Sequence, residues 1–284
     1  MLGYRKSLWL FLLPPLVGLV IFHILPFIGG FWISLTDGTF QGHIVGVNNY
    51  INVWKNQMFQ TGLVNSLILA VISIPLIWLF SLLMAFVLYK CSHASRILRQ
   101  TIMLPYLIPE AATLLILLIL FDYGGLANRL LSVFGIGRIS WVEGGALRFP
   151  IIVFYIWKNL GLSTILFLAA FETIPVALFE YARLEGASWR KQIFSIALPM
   201  IAPTAGAVAM ISWINSFSIS QQIYSVGGAY PGMQMYTVQN FMSNMYNQFN
   251  NPAATAAAYS FALIVFLVTG SVYLFYRKVV AIKR

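Results

Sequence analysis

The sequence predicts an all-α integral membrane protein with about six transmembrane helices. Of its 284 residues, 60% are hydrophobic and only 8% are charged, whereas soluble domains carry about 25% charged residues. Several apolar runs reach the roughly 20 residues that a helix needs to cross a bilayer. An ordinary soluble domain is therefore excluded, and we expect one membrane domain over residues 1–284.

Six apolar segments alternate with shorter polar intervals. The first segment begins like a signal peptide, but no small-residue cleavage site precedes its continuing apolar run, so we expect an uncleaved span. Three prolines, Pro14, Pro15 and Pro26, are expected to kink this span. The predicted spans cover about residues 8–35, 63–89, 101–121, 149–171, 204–224 and 253–276.

Basic residues are unevenly distributed over the polar intervals. Twelve of the 17 Lys and Arg residues fall in the two chain ends, in the 90–99 turn and in the 172–203 interval, all on one predicted side. Because cytoplasmic loops carry the excess of positive charge, both termini and the 172–203 interval should be cytoplasmic. This distribution also accounts for the net charge of +10 without any binding to nucleic acid.

Residue combinations typical of enzymes and metal sites are missing. The chain has one cysteine, Cys91, and its three histidines are far apart, so neither a metal centre nor a Cys/His catalytic pair is expected. The phosphate-binding pattern G-x-x-x-x-G-K-[ST] does not occur, so the chain cannot itself hydrolyse ATP. We therefore predict no catalytic residue and no cofactor bound by this chain.

The interval 172–203 is predicted to form two short helices. Pro175 suits the first turn of a helix over residues 176–185, and Gly186 suits the left-handed position that ends it. Leu198, Pro199 and Pro203 are expected to stop the second helix. Its predicted apolar side carries Trp189, Ile193, Phe194, Ile196 and Ala197, and its predicted exposed side carries Arg190, Lys191 and Gln192.

This interval resembles the "EAA" loop of permease subunits of binding-protein-dependent ABC importers. Tyr181 replaces the first alanine of that motif, and Glu185 stands where aspartate is usual. Residues 45–50 also resemble an element after the first span of sugar permeases, which points to the maltose/multiple-sugar branch. The residues that match the loop are Glu180, Ala182, Gly186, Ala187, Phe194, Ile196, Leu198, Pro199 and Pro203.

The resemblance implies a type I ABC importer permease fold in a bacterial or archaeal cytoplasmic membrane. Such a subunit pairs with a second, homologous permease and with two ATP-binding subunits that hold ATP and Mg²⁺. An extracytoplasmic binding protein delivers the carbohydrate. The coupling loop that docks on an ATP-binding subunit would include Glu180, Ala182, Glu185, Gly186, Ala187, Leu198 and Pro199. A merely solvated loop is the simpler interpretation, but it leaves Leu178, Phe179, Tyr181 and Trp189 unexplained.

Polar residues within the predicted spans are candidates for a substrate pathway. Ser212, Trp213, Ser216 and Ser220 share a sector of about 100° on an ideal helix. A ring beside hydroxyls suits a sugar, but small hydroxyls also join helices, so both interpretations stay open. The resemblance implies that this span, together with Trp157, Lys158 and Asn159, lines the substrate cavity.

Glu110 and Lys158 are the two members of the Asp, Glu, Lys and Arg group that lie inside the predicted spans. Each should face the bundle interior or water, because a charge in lipid is costly. The two side chains could pair, or Lys158 could extend to the membrane surface. Glu110 follows Pro109, where a bend is expected, and could contact substrate hydroxyls.

Residues 227–232 resemble the "GGP" element after the fifth span, with two extra residues. Gly227, Gly228 and Pro231 are therefore candidates for docking the binding protein, although an ordinary Gly/Pro turn fits equally. The predicted function is ATP-driven carbohydrate import. The alternatives are an ABC importer for another small solute and a secondary transporter, which would need inverted repeats and matched broken spans.

Overall fold

The protein is almost wholly helical, as the sequence predicts. The computed structural model describes residues 2–39, 42–90, 95–217 and 219–282. Within these ranges the β-structure is limited to one isolated bridge between Thr36 and Ile44. In this described part of the chain, helices long and apolar enough to cross a membrane number four, or up to six if two bent pairs each count as one span. The all-α, six-span prediction is thus confirmed.

The chain divides into two compact units, one formed by Met1–Gln60 with Val238–Ile264 and the other by Thr61–Thr237 with Val265–Arg284. The expected single membrane domain stays a prediction. The elements of the first unit are α1 (Leu2–Leu19), a π-helical turn (Val20–Ile24), α2 (Leu25–Ser34), α3 (Asn48–Lys55), α14 (Val238–Asn247) and the first part of α15 (Asn251–Ile282).

An aromatic contact holds the first apolar segment against α15 within the first unit. The Tyr259 hydroxyl donates a hydrogen bond to the Phe27 carbonyl, and its ring packs edge-on against Phe27 and Phe31 at 5.1 and 5.5 Å between centroids. Most side chains between Phe11 and Ile33 are otherwise exposed. An exposed apolar helix of this length is typical of a lipid-facing span.

The second unit contains the longest helices and both apolar cores. Its elements are most of α4 (Gln57–Lys90), α5 (Ser95–Leu107), α6 (Glu110–Leu120), α7 (Leu126–Val133), α8 (Arg148–Glu172), α9 (Val176–Leu184), α10 (Trp189–Lys191), a π-helical turn (Gln192–Ala197), α11 (Leu198–Met200), α12 (Ala202–Ser216) and α13 (Ile219–Gly227).

Two apolar clusters surround the two halves of α8. The cluster around its N-terminal half includes Ile151, Phe154, Leu117 of α6 and Ile223 of α13. The cluster around its C-terminal half includes Phe167, Phe171, Phe86, Phe179, Ile193 and Val208. Lys158, Asn159, Ser163 and Thr164 lie on α8 between the two clusters. The middle of α8 is therefore a polar layer between two apolar ones.

The predicted third span is not one helix. Helix α5 ends at Leu107, α6 begins at Glu110, and the segments Ile97–Leu107 and Glu110–Leu120 meet at 93°. Pro109 causes the break, because it disfavours helical backbone at Ile108 and has no N–H to continue the ladder. The sequence indicated a bend here but not one of this size.

The second predicted helix of the 172–203 interval does not stop at Pro199. The helical run Trp189–Met200 passes through Leu198 and Pro199 and then meets Ala202–Ser216 at 86°. The π-helical turn Gln192–Ala197 immediately precedes this proline, and another π-helical turn, Val20–Ile24, precedes Pro26. A widened turn accommodates the proline ring and its missing N–H without ending the helix.

The predicted fifth span, residues 204–224, is also interrupted. Helix α12 ends at Ser216 and α13 begins at Ile219, so Ser220 does not belong to the same helix as Ser212 and Ser216. The shared helical sector predicted for these serines assumes one continuous helix, and α12 and α13 are two helices. Ser218, which the sequence also places in this polar run, lies outside the described residues.

Gly161 sets the separation between α5 and α8. A Cβ atom at Gly161 would lie 2.1 Å from the Ile102 carbonyl oxygen and 3.2 Å from Met103 Cα. Both obstacles are backbone, which cannot rotate away as a side chain can. The close approach of these two helices therefore depends on the glycine.

We predict that Gly161→Ala lowers the stability of the protein by about 1–3 kcal/mol, the usual cost of overpacking. The measurement is the thermal unfolding midpoint of the detergent-solubilised complex. Gly270→Ala is the matched control, because a Cβ atom there meets nothing within 4 Å. Equal midpoints for the two variants would contradict the close contact.

Candidate functional site: a polar layer and a short exposed helix

The charged residues inside the predicted spans form an ion pair. Lys158 Nζ, near the middle of α8, lies 3.7 Å from Glu110 Oε1 at the start of α6. The pairing that the sequence left open is thus present. The Lys158 side chain is 12% exposed and that of Glu110 is 39% exposed, so the carboxylate is the more accessible member of the pair.

Hydrogen bonds join α8 to α12 in the same polar layer. The Asn215 side-chain amide donates to Asn159 Oδ1 at 3.3 Å, and the Tyr155 hydroxyl donates to the Ser212 carbonyl at 3.0 Å. Asn159 also donates to the Tyr155 carbonyl. Tyr155 and Asn215 were not among the predicted site residues, although their polar atoms inside apolar runs were a usable signal.

The predicted residues of the fifth span are nearly all buried. Ser216 Oγ donates to the Trp213 carbonyl, as expected for a hydroxyl satisfied within its own helix. Ser212 Oγ and Trp213 Nε1, in contrast, are buried and have no hydrogen-bond partner among the described residues. Unsatisfied buried donors are rare in folded proteins.

Trp213 and Trp157 face different surroundings. The Trp213 ring lines an apolar cavity of about 80 Å³ with Ile74, Ala209, Met210, Val268 and Thr269. Trp157 is partly exposed and packs edge-on against Phe154 at 5.5 Å between ring centroids. The structure therefore pairs Glu110 with Lys158 and joins Asn159 of α8 to α12, while Trp213 lines a separate apolar cavity and Ser220 lies on the separate helix α13.

The predicted coupling helix is anchored by few residues and exposes the others. Phe179 is fully buried, with its ring 6.4 Å from Phe86 and 5.5 Å from Tyr89, and Ala182 is buried beside it. Glu180 and Glu185 are exposed and form no ion pair within the described part of the chain. The large apolar side chains that α9 leaves exposed are Val176, Leu178, Tyr181 and Leu184.

Gly186 adopts the left-handed conformation that the sequence predicts for it. Its φ is +72°, and its N–H donates to the Arg183 carbonyl while the Ala187 N–H donates to the Ala182 carbonyl at 2.8 Å. This pattern ends α9 and satisfies its last carbonyls. A Cβ atom at Gly186 would meet nothing within 4 Å, so the surface around it is open.

The prediction that Arg190, Lys191 and Gln192 form the exposed side of the second helix is wrong for Gln192. Gln192 is buried, because its amide donates to the Ala187 carbonyl at 2.9 Å and its Oε1 accepts from Lys90 Nζ at 2.9 Å. Trp189 and Phe194, predicted to be apolar-side residues, are about half exposed. Ile193 and Ala197 are buried as expected, and Leu198 and Pro199 are half-buried.

The 227–237 segment is fixed by two side chains that the sequence analysis missed. Asn65 donates to the carbonyls of Met233 and Tyr236, both at 2.9 Å. Arg148 donates to the Gln234 carbonyl and to Asn65 Oδ1. Asn65 and Arg148 each lie at the edge of a predicted span. A polar side chain at such a position is equally compatible with simple exposure to water, so the sequence does not indicate these contacts.

The glycines and the proline of this segment form a tight turn. Gly228 has a φ of +66°, and a Cβ atom at Gly227 would lie 2.4 Å from Pro231 Cβ. The rings of Tyr230 and Tyr236 stack at 6.4 Å between centroids. Gly227, Gly228 and Pro231 therefore shape the segment, and Asn65 and Arg148 hold its C-terminal part in place.

The chain is similar to solved structures of a bacterial transporter. It superposes with a TM-score of 0.84 and 21% identity on a chain of a bacterial ABC transporter involved in the import of the acidic polysaccharide alginate, covering 97% of this chain and 96% of that chain. A bacterial alginate ABC transporter in complex with an alginate pentasaccharide-bound periplasmic protein gives a TM-score of 0.85. This similarity shows the fold.

Curated relatives are transport permeases. The trehalose/maltose permease MalF of Thermococcus litoralis is 29% identical over 87% of this chain and 86% of its own length. The probable starch degradation products permease AmyD of Thermoanaerobacterium thermosulfurigenes is 26% identical over 92% and 89%. The lactose permease LacF of Rhizobium radiobacter is 24% identical over 96% and 94%.

One family description covers most of the chain. Residues 61–281 match the family of binding-protein-dependent transport system inner membrane components. The matched region contains the polar layer, the helix α9 with Gly186, and the turn at residues 227–232. The chain therefore belongs to this family of membrane permeases.

Proposed function

We propose that this chain is a membrane-spanning subunit of an ATP-driven importer that translocates a carbohydrate delivered by an extracytoplasmic binding protein. The observation that carries the proposal is the polar layer in the middle of α8, where an ion pair and two linked amides lie between apolar clusters. Polar side chains at this depth face protein or water. The hydroxyl groups of a sugar can form hydrogen bonds with such side chains.

The names of the relatives favour a carbohydrate over other small solutes. Permeases for trehalose and maltose, for starch degradation products and for lactose are all similar to this chain. Permeases for sn-glycerol-3-phosphate are similar too, so a small phosphorylated solute is the alternative substrate. The pairing of Lys158 with Glu110 argues against it, because a phosphate would need an available cation.

We further propose that α9 is the coupling helix. Its exposed Val176, Tyr181 and Leu184 beside Glu180 and Glu185 form an apolar and acidic surface on a short polar interval, which suits a protein partner better than solvent. The partner would be an ATP-binding subunit that supplies ATP and Mg²⁺. Two such subunits and a second, homologous permease would complete the importer.

The same proposal says which segments of the chain lie on each side of the membrane. The excess of Lys and Arg near the chain ends and around residues 172–203 supports a cytoplasmic position for α9 and for both termini. The turn around Gly227, Gly228 and Pro231 would then lie outside the cytoplasm of a bacterial or archaeal cell, where it is available to the binding protein.

A secondary transporter is favoured by one observation, the two sharply bent helix pairs at Pro109 and Ile201. Broken helices at membrane depth occur in such transporters. The two proposals differ in their energy source, because a secondary transporter takes up its substrate without ATP. The experiments that follow therefore measure ATP dependence directly.

We predict that Gly186→Arg reduces both ATP-driven sugar uptake and substrate-stimulated ATP hydrolysis by about tenfold or more. Arginine strains the left-handed backbone, which costs about 1–2 kcal/mol, and places a bulky charge on the open docking surface. The measurement uses the whole complex in vesicles with a panel of sugars, which also identifies the substrate.

Gly186→Asn is the matched control, because asparagine tolerates the left-handed region far better. This variant should retain most of the uptake. Full uptake by Gly186→Arg would contradict the coupling role of α9. Uptake by this chain alone in the absence of ATP would contradict the importer proposal and favour the secondary transporter.

We predict that Arg148→Met raises by about tenfold the concentration of loaded binding protein that half-saturates ATP hydrolysis. Methionine cannot replace the hydrogen bonds from the Arg148 guanidinium to the Gln234 carbonyl and to Asn65 Oδ1. Hydrogen bonds of a charged group are worth about 1.5–3 kcal/mol, so the 227–237 segment would lose its fixed conformation. Arg138→Met is the control, because Arg138 is exposed and packs only over the Tyr123 ring among the described residues. An unchanged half-saturation in Arg148→Met would exclude a docking role for the 227–237 segment.

A further inference from the structure

The position of Glu110 distinguishes its ion pair from an ordinary surface contact. Glu110 is the first residue of α6, directly after the 93° bend. Lys158 is the eleventh residue of α8, about 15 Å along the helix from its start. The described residues contain one other ion pair, Arg99–Glu172, whose side chains are 38% and 47% exposed, whereas the Lys158 side chain is only 12% exposed. Glu110 and Lys158 thus carry the charge of the polar layer.

The pair is loose and partly open. Its 3.7 Å separation lies beyond hydrogen-bond range, and neither Lys158 Nζ nor the Glu110 carboxylate forms a hydrogen bond to another described residue. Their hydrogen-bonding capacity remains available to a ligand or to water. A helix break at membrane depth is tolerated where it is buried in protein or lines a water-filled cavity, and Glu110, at 39% exposure, is not buried within this chain.

The other polar groups of the layer are uncharged. Asn159, Asn215, Ser212 and Tyr155 contribute amides and hydroxyls. The layer is therefore electrically neutral only because Glu110 is present. Since Glu110 is more exposed than Lys158, an approaching anion meets the carboxylate before it meets the ammonium group.

We infer that Glu110 determines the charge specificity of the pathway: it cancels the charge of Lys158, so that the pathway admits uncharged sugars and disfavours anionic ones. This inference rests on the proposed function for the existence of a pathway. Without Glu110, Lys158 would be an unpaired cation in a site of low dielectric, where charge interactions are several times stronger than in water. Such a site would attract carboxylated or phosphorylated substrates.

The test uses a cysteine placed one turn from Glu110. Leu114 lies four residues further along α6, on the same face, and is partly exposed. Leu114→Cys is introduced into the complete complex together with Cys91→Ser, which removes the only natural cysteine. Modification rates are measured with an anionic reagent, sulfonatoethyl methanethiosulfonate, and a cationic one, trimethylammonioethyl methanethiosulfonate, at rest and during ATP-driven turnover.

We predict that Glu110→Gln raises the ratio of the anionic to the cationic rate by about tenfold or more relative to the parent. Lys158→Met should shift the ratio in the opposite direction. Glu143→Gln is the matched control, since Glu143 is an exposed acid of the loop before α8 and forms no ion pair among the described residues, and it should leave the ratio unchanged. The double variant Glu110→Gln with Lys158→Met removes both charges and should restore the parental ratio, even if a single variant assembles poorly.

Three results would overturn the inference. The first is an equal ratio of anionic to cationic modification rate in Glu110→Gln and in the parent. The second is a ratio that stays shifted in the double variant. The third is that neither reagent modifies the cysteine introduced in place of Leu114, either at rest or during turnover. The test does not depend on the sugar. A charge shift without ATP-driven uptake would contradict the proposed function alone, whereas normal uptake with no charge shift would contradict the role of Glu110 alone.

Discussion

The second unit must satisfy the backbone N–H and C=O groups that its helix breaks leave without partners, and this requirement constrains its whole structure. A helix that crosses lipid satisfies its own N–H and C=O groups, but a helix that bends by 93° at Pro109 leaves some of them free. Such a break is stable only against protein or water. In this chain the break lies against the middle of α8, where two apolar clusters leave a layer that contains Lys158, Asn159 and their partners. The polar layer and the broken helix therefore require each other.

Helix α9 is packed so that it would move together with α4 and α8. Phe179 packs on Phe86 and Tyr89 of α4, and Gln192 links the loop after α9 to Lys90. A force on the exposed face of α9 would thus be transmitted to α4 and to the cluster around the C-terminal half of α8. Rigid elements that rock between two packings are the usual basis of such transport, with ligands biasing the equilibrium.

The sequence was sufficient for features that depend on local chemistry. The short helix α9, the left-handed Gly186 and the apolar segments follow from proline, glycine and hydrophobic spacing. Features that depend on tertiary contacts were not accessible. The burial of Gln192 depends on a loop carbonyl and on Lys90 102 residues away, and the contact of Glu110 with Lys158 depends on the bend angle at Pro109. The break before Ser220 shows that an ideal helical wheel fails once the helix is interrupted.

The central claim is that a carbohydrate passes beside the polar layer of this chain. A cryo-electron microscopy structure of the complete complex, trapped in a closed state after its binding protein has delivered the sugar, tests it most directly. We expect sugar density within hydrogen-bond distance of the Glu110–Lys158 pair or of Asn215 and Ser212. Sugar held wholly by the partner permease, with the layer of this chain packed shut, would contradict the account.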